Sequence, residues 1–307
     1  MKKIEVMGLQ TIPEIKAGDE LVRVIIDCAR NEAVEICEKD VVVLTSKIVS
    51  KAMDLTVKLD DVKATPRAEK IGKKTGKDPR LIQLVWDAGQ EIIVMLPLEG
   101  MIKEAIINAS EDADEGERLR GRERLLCISA DRAGRIYTSD GGVDGSNHEA
   151  GTLSFVPPEP DEVAEAIREE IKEITGSDVA VIIADTEMIP YGTMDFAIGC
   201  SGIAPRAKEF GRRDSFGRPK FGGMDLVANE MTSACALVFG QNNAKIPVAI
   251  VRGYEYEFDE TASICRDVLP NADSGEVRSI VRQTLRATSY TRGFMQGILM
   301  RIASWFI

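Results

Sequence analysis

The sequence predicts an α+β fold: a two-domain subunit with mixed sheets and flanking helices. Three observations carry that prediction. The chain has 307 residues with 44% hydrophobic content, enough to bury one large core or two modest ones. Helix-like and strand-like segments occur together without the uniform βα alternation of a single wound sheet. The connector "TLSFVPPEPDE" is punctuated by three prolines, which places a soft boundary between a region 1–156 and a region 157–307 whose domains can interleave.

One pattern occurs twice. "DELVRVIIDCARNEAVEICEKDVVVLTSK" runs from a helical segment into the β-branched run Val41–Leu44 and stops at Thr45-Ser46-Lys47. "DEVAEAIREEIKEITGSDVAVIIADTE" repeats the scheme: a helix N-capped by Asp161, a stop at Gly176, a run Val179–Ile183, then Asp185-Thr186. Both apolar runs read as strands buried on two faces, delivering polar residues at their ends. Between them lie a basic helix with its continuation over Pro66–Ala88 and a strand over Glu91–Leu96. The charged stretch "NASEDADEGERLRGRER", within residues 97–122, reads as a surface insertion. "RLLCISADRAGRIYTSDGG" reads as a hairpin turning around Asp131–Gly134. Further on, "GMDLVANEMTSACALVFG" is a helix ending at Gly240, with Leu226, Met231, Ala234, Leu237 and Val238 among its apolar positions. "IPVAIVRG" is a buried strand, and helix returns over Thr261–Arg286. In the tail, Phe294, Ile298, Ile302 and Phe306 recur every four residues beside Met295, Leu299 and Trp305. That stripe is too short to span a bilayer; docking on this protein or a sister subunit is expected, with membrane-surface contact as the alternative.

Charge and composition exclude several function classes. A net charge of −11 argues against a nucleic-acid partner, which requires a basic face. Six cysteines without a C-x-x-C pair, and no apolar leader at the N-terminus, read as buried thiols of a cytoplasmic protein. "GKKTGKDP" resembles a Walker A loop, but its glycines are one residue too close and Asp78 replaces the needed Ser or Thr; it reads as a basic turn. With His148 the chain's only histidine, two-histidine metal sites are excluded. What remains is oxygen chemistry. Asp144 and Asn147 in "GGVDGSN", with Asp185 and Thr186 after a strand, are donors of the type a hard divalent cation takes alongside phosphate oxygens. "GRRDSFGRPKFGG" offers Arg212, Arg213 and Arg218 among glycines, a phosphate cradle or a solvated basic loop.

In this order, "GLQTIPEIKAGDEL", "TSKIVSK", "GGVDGSN", "VIIADT", "FAIGCSG", "GRRDSFGR" and "FGQNNAKIPVAIVRG" resemble the coenzyme F-420 γ-glutamyl ligase family. The resemblance implies intertwined homodimers of two-domain subunits that join L-glutamate to a deazaflavin precursor. It further implies GTP as substrate, Mg²⁺ or Mn²⁺ as metal, and help from K⁺. By motif, Asp144, Asp185, Thr186 and Gln241 resemble metal ligands. Gly8, Leu9, Gln10, Thr11, Ser46, Lys51, Asn147 and the loop Phe239, Gly240, Gln241, Asn242, Asn243, Ala244, Lys245 and Ile246 resemble nucleotide contacts. The segment 187–195, "EMIPYGTMD", departs from the family in lacking arginine. A paralogous amide ligase with another carboxylate acceptor, and a non-catalytic nucleotide- or metal-binding protein, are the competing readings.

Overall fold

The computed structural model describes residues 2–97, 125–131, 135–189, 192–207, 209–240, 243–268, 274–290 and 293–305. The charged stretch from 98 to 122, the turn 132–134, Gln241, Asn242 and Phe306 lie outside the described residues.

A five-stranded mixed sheet organises the chain. Its strands are β1 (Glu5–Gly8), β2 (Val41–Thr45), β8 (Ala180–Ile189), β9 (Gly192–Ser201) and β10 (Val248–Arg252), in the order β1-β10-β2-β8-β9. Only β2 and β8 run parallel; every other neighbouring pair is antiparallel. The two similar sequence units therefore lie side by side, and strands from both sides of residue 156 share one sheet.

Burial on both faces explains the continuous apolar runs. Val42 and Leu44 of β2, Val181 and Ile183 of β8 and Ile250 of β10 face a core closed by the helices α1 (Leu21–Asn31) and α5 (Pro160–Thr175), which contribute Val22, Ile25, Ile167 and Ile171. Val41, Val43, Ala180, Ile182 and Ala249 face the opposite core, beneath the helix α6 (Val227–Phe239) with Met231, Cys235 and Phe239. Leu237, expected among the apolar positions of α6, is instead 87% exposed, because it lies off the arc Val227–Met231–Cys235 that meets the sheet.

Two smaller sheets complete the fold. β3 (Thr56–Lys58) pairs with β7 (Thr152–Ser154), and β4 (Glu91–Pro97), β5 (Leu125–Ala130) and β6 (Ile136–Tyr137) form an antiparallel meander that contains the expected hairpin. The six cysteines are free thiols, and burial raises Cys127 to about 11 and Cys235 to about 12. Such thiols stay protonated at neutral pH, as inert core groups do.

Several expectations are corrected. The basic segment 66–88 is two helices, α3 (Pro66–Thr75) and α4 (Pro79–Asp87), because Gly76 adopts φ +80° and ends the first with an αL cap. Asp161 does not cap α5: Glu159 precedes the helix, Pro160 opens it, and the Asp161 carboxylate instead accepts from the backbone of Cys200 and of Ile264, which opens the short helix α7 (Ile264–Asp267). β8 does not end at Thr186; it continues to Ile189 because β9 folds back along it, pairing Glu187 with Met194. Most of "EMIPYGTMD" is therefore a hairpin rather than a loop. α2 (Ser46–Ala52) begins directly at the end of β2, so Lys47 stands in its first turn.

Gly199 on β9 marks a close approach between layers. A Cβ there would lie 2.4 Å from the Pro160 carbonyl, so α5 and β9 touch backbone to backbone. Gly199→Ala is expected to lower stability by about 1–3 kcal/mol through overpacking, read as a fall in the urea midpoint.

Candidate functional site

The site forms where the parallel pairing of β2 and β8 ends. The last register pair between β2 and β8 is Thr45 with Ala184, so Ser46 and Asp185 emerge next to each other. The Ser46 hydroxyl donates to Asp185 Oδ1 at 2.7 Å. The carboxyl ends of parallel strands are where open sheets place ligand groups.

Helix α2 then projects two lysines one turn apart, at the spacing that puts both on one face. Lys47 pairs with Asp144 and donates to the Ser146 carbonyl at 2.8 Å. Lys51 pairs with Glu14 and donates to the Asn147 carbonyl at 2.9 Å. Together they grip residues 144–147 of the glycine-rich loop. The loop closes on itself: Asp144 exchanges backbone hydrogen bonds with Ser154 at 3.0 and 2.8 Å, and its Oδ1 accepts the Ser146 N–H at 2.7 Å. His148 Nε2 contacts Ser154 Oγ at 2.9 Å. Burial, then Lys51 and Lys47, lower its pKa, so the ring is neutral.

A buried network holds this loop from below. Lys77, 4% exposed, pairs with Asp140 at 2.7 Å, and Asp140 also accepts the Cys127 N–H at 2.9 Å. Gln90 Nε2 donates to the Gly141 carbonyl at 2.6 Å while its Oε1 accepts from Ser129 Oγ. Gly141 has φ +71°, and a Cβ on it would lie 2.6 Å from Gln90 Oε1, so glycine is required there. The segment read as a basic turn thus supplies a buried structural cation: Lys77 lies between the end of α3 and the start of α4, facing inward.

The electrostatics of the cluster are acidic. Burial would raise Asp144, but Lys47 and the Ser146 donors together outweigh it and hold its carboxyl below the usual range. Burial pushes Asp185 up to about 7; the Ser46 hydrogen bond opposes this, while the charges of Glu187 and Asp144 add to it. Glu187, two residues along the same strand face, is raised by burial against the hydrogen bonds from Thr138. Asp185 thus feels the charge of both Glu187 and Asp144, with Lys47 as the cation beside Asp144, and carboxylates of this kind suit a hard dication. Among the described residues no three His, Cys, Asp or Glu side chains converge tightly enough to enclose one. An Mg²⁺-type site takes one or two carboxylates and completes its shell with phosphate oxygens and water.

The remaining candidates fall into three groups. Thr186 Oγ1 donates to Asp195 Oδ1 at 2.7 Å across the hairpin, on the face opposite Asp185. Gly8 and Ile246 meet, a Gly8 Cβ lying 2.7 Å from Ile246 Cγ2, so the segments 8–11 and 239–246 adjoin. Within them, Leu9 and Phe239 are core side chains, Gly240 caps α6 with φ +66°, and Asn243, Ala244 and Lys245 are exposed. Gln10 and Thr11 direct their N–H groups to the Glu32 carboxylate at 2.8 and 2.7 Å. Arg212, Arg213 and Arg218 stand on an exposed loop that folds on itself, Arg212 pairing with Glu209 at 3.0 Å and Asp214 accepting the Arg218 N–H at 2.9 Å.

Sequence reasoning passed over Lys47, Glu187 and the Lys77–Asp140 pair. Lys47 was visible as the residue four before Lys51, on one helical face. Glu187 was visible as the residue two after Asp185, had the strand been carried on. Nothing in the sequence distinguishes Lys77 from its exposed neighbours Lys73 and Lys74.

Comparison with known proteins agrees with this architecture. The model of the F420-0:Gamma-glutamyl ligase family matches residues 10–253. The chain is 31% identical over 255 residues to the coenzyme F420:L-glutamate ligase of Methanothermobacter thermautotrophicus, covering 82% of this chain and 90% of that one. It is 30% identical to the coenzyme F420:L-glutamate ligase of Methanosarcina acetivorans, covering 92% of this chain and 97% of that one. To the Archaeoglobus fulgidus protein of the same name it is 30% identical, over 82% and 88% of the two chains. The span from Gln10 to Gly253 contains four of the five strands of the central sheet, β1 lying just before it, together with the whole Ser46–Asp144–Asp185 cluster, and this chain belongs to the F420-0:Gamma-glutamyl ligase family.

Proposed function

We propose that this protein joins L-glutamate through an amide bond to a deazaflavin precursor of coenzyme F-420, using GTP and a divalent metal, Mg²⁺ or Mn²⁺, with K⁺ as an accessory ion. It does so as a cytoplasmic homodimer of two-domain subunits. The observation that carries the reading is the juxtaposition of Ser46, Lys47, Asp144 and Asp185 at the ends of the two parallel strands, in a chain of this family.

The reaction divides into two displacements. An acceptor carboxylate oxygen attacks the γ-phosphorus of GTP, GDP departs, and an acyl phosphate results. The glutamate amine then attacks the acyl carbon, loses a proton, and expels inorganic phosphate. A bound divalent cation supplies charge neutralisation for the phosphates and the acceptor carboxylate. Asp144 and Asp185 would hold it, and Gln241, outside the described residues, is the further expected ligand. Ser46 fixes Asp185 by its hydrogen bond, and Lys47 holds the loop that presents Asp144. Lys51 and Asn147, which are hydrogen-bonded to each other, would contact the nucleotide, as would Gly8–Thr11 and the loop to Ile246, which adjoin. No protein nucleophile is needed, in keeping with buried, protonated thiols.

The hairpin 187–195 favours a second reading for the acceptor. It carries Glu187 and Asp195 and no arginine, which suits a less anionic acceptor than a phosphate-bearing one. A paralogous ligase with that acceptor would share the activation step. Metal-dependent release of GDP in the presence of L-glutamate and the F-420 precursor supports the first reading. Release of GDP only with a different carboxylate supports the second, and no metal-dependent turnover with any acceptor supports a non-catalytic binding protein.

A further inference from the structure

The C-terminal helices have no part in the site and are built inside out. α8 (Ser274–Ser289) and α9 (Phe294–Ala303) pack on each other, and among the described residues polar groups meet at their seam. Among the described residues, Gly297 and Ser304 are the buried ones on the α9 side, and Ser289 on the α8 side. Arg286 Nε donates to Ser304 Oγ at 3.3 Å, Arg301 Nε donates to Ser289 Oγ at 3.1 Å, and the Arg301 guanidinium lies 4.5 Å over the Tyr290 ring. The large apolar side chains point the other way. Phe294 is 82% exposed and Trp305 71%, with Met295, Ile298, Leu299 and Ile302 exposed between them.

At 3.6 residues per turn these six positions cover one continuous arc of about 140°. A water-soluble hairpin would bury that arc and expose the serines and arginines. A face of this kind marks a docking surface. Its chemistry selects the occupant. Residues 274–307 contain five arginines and one glutamate, in a chain of net charge −11, so the segment that carries the apolar arc is itself cationic. Arg282 and Arg301 are exposed, and the aromatic residues Tyr290 and Trp305 stand at the ends of α8 and α9. Apolar arc, flanking arginines and terminal Tyr and Trp together match the requirements of an anionic lipid surface, where Trp and Tyr rest at headgroup level. Among the described residues no helix is long and apolar enough to cross a membrane, so the contact is interfacial.

We infer that the α8–α9 hairpin lays its Phe294–Leu299–Trp305 face on an anionic membrane surface, attaching the enzyme to it peripherally. The experiment is co-sedimentation of the full chain with vesicles of phosphatidylglycerol and phosphatidylcholine in equal parts, against phosphatidylcholine alone. Each is run at low and high salt, with molar mass measured in solution by light scattering. Binding is expected to be at least about tenfold tighter to the anionic vesicles and to weaken with salt, since each arginine near the surface adds about 1 kcal/mol. Phe294→Glu with Leu299→Glu is expected to abolish vesicle binding while leaving the molar mass and the soluble ligase activity unchanged. Absence of wild-type binding to anionic vesicles overturns the inference without reference to any variant. So does a fall in molar mass in the double variant, which would make this face an interface between two copies.

Discussion

Asp185→Asn, and separately Asp144→Asn, is expected to lower glutamyl transfer by at least about a hundredfold with the fold intact, the scale of losing one preorganised electrostatic group in an active site. Asparagine keeps the shape of Asp185 and still accepts the Ser46 hydroxyl, so what it removes is charge. The same substitution carries a stability signature of predictable sign. Because burial and the neighbouring carboxylates raise Asp185 to about 7, the folded protein holds this proton more tightly than the unfolded chain does. Its contribution is present in acid and is lost as pH rises from the ordinary aspartate range through about 7. In metal-free protein the difference in melting temperature between Asp185→Asn and wild type should therefore grow in favour of the variant between pH 5 and pH 8. Full activity in both aspartate variants would remove the metal assignment. A pH-independent difference in melting temperature would remove the account of the acidic cluster.

Lys77→Met is expected to cost about 3–5 kcal/mol of stability, since it leaves the Asp140 carboxylate buried without its cation. Its effect reaches the site because Asp140 directly precedes the glycine pair that aims Asp144 into the cluster. Pairing Lys77→Met with Asp140→Asn should recover a large part of the loss, since the double variant buries no unpaired charge. Urea titration of the four proteins gives the coupling directly. A loss below about 1 kcal/mol in Lys77→Met, or strict additivity in the double variant, would show that the pair does not anchor the loop.

The central sheet was legible in the sequence because burial on both faces leaves its mark there. Val41–Leu44 and Val179–Ile183 are unbroken apolar runs, and each ends close to where its neighbours on the sheet diverge. The same runs pointed to Ser46 and Asp185, which the parallel register places together. Beyond Thr186 that signal fades: β8 has no β2 partner past Ala184, and its outer half mixes Glu187 and Met188 without an apolar period. The hairpin is set by β9, a tertiary partner invisible in the local pattern. Asp161 illustrates the same limit. Local spacing made it an N-cap, but its carboxylate binds backbone donors at Cys200 and Ile264, far along the chain. Lys77 lies among exposed lysines, and only the fold shows that it faces Asp140. The tail was legible as an apolar stripe. What the structure adds is that, among the described residues, the buried positions between its helices are Ser289, Gly297 and Ser304, while the stripe itself is exposed.

The most direct test of the proposed activity is the mass spectrum of the products after incubation with GTP, Mn²⁺, K⁺, L-glutamate and the F-420 precursor. The account predicts a mass increase of one or more glutamyl units on the precursor, lost when GTP or Mn²⁺ is omitted and lost in Asp185→Asn. An unmodified precursor after complete incubation with folded, nucleotide-binding protein would contradict it.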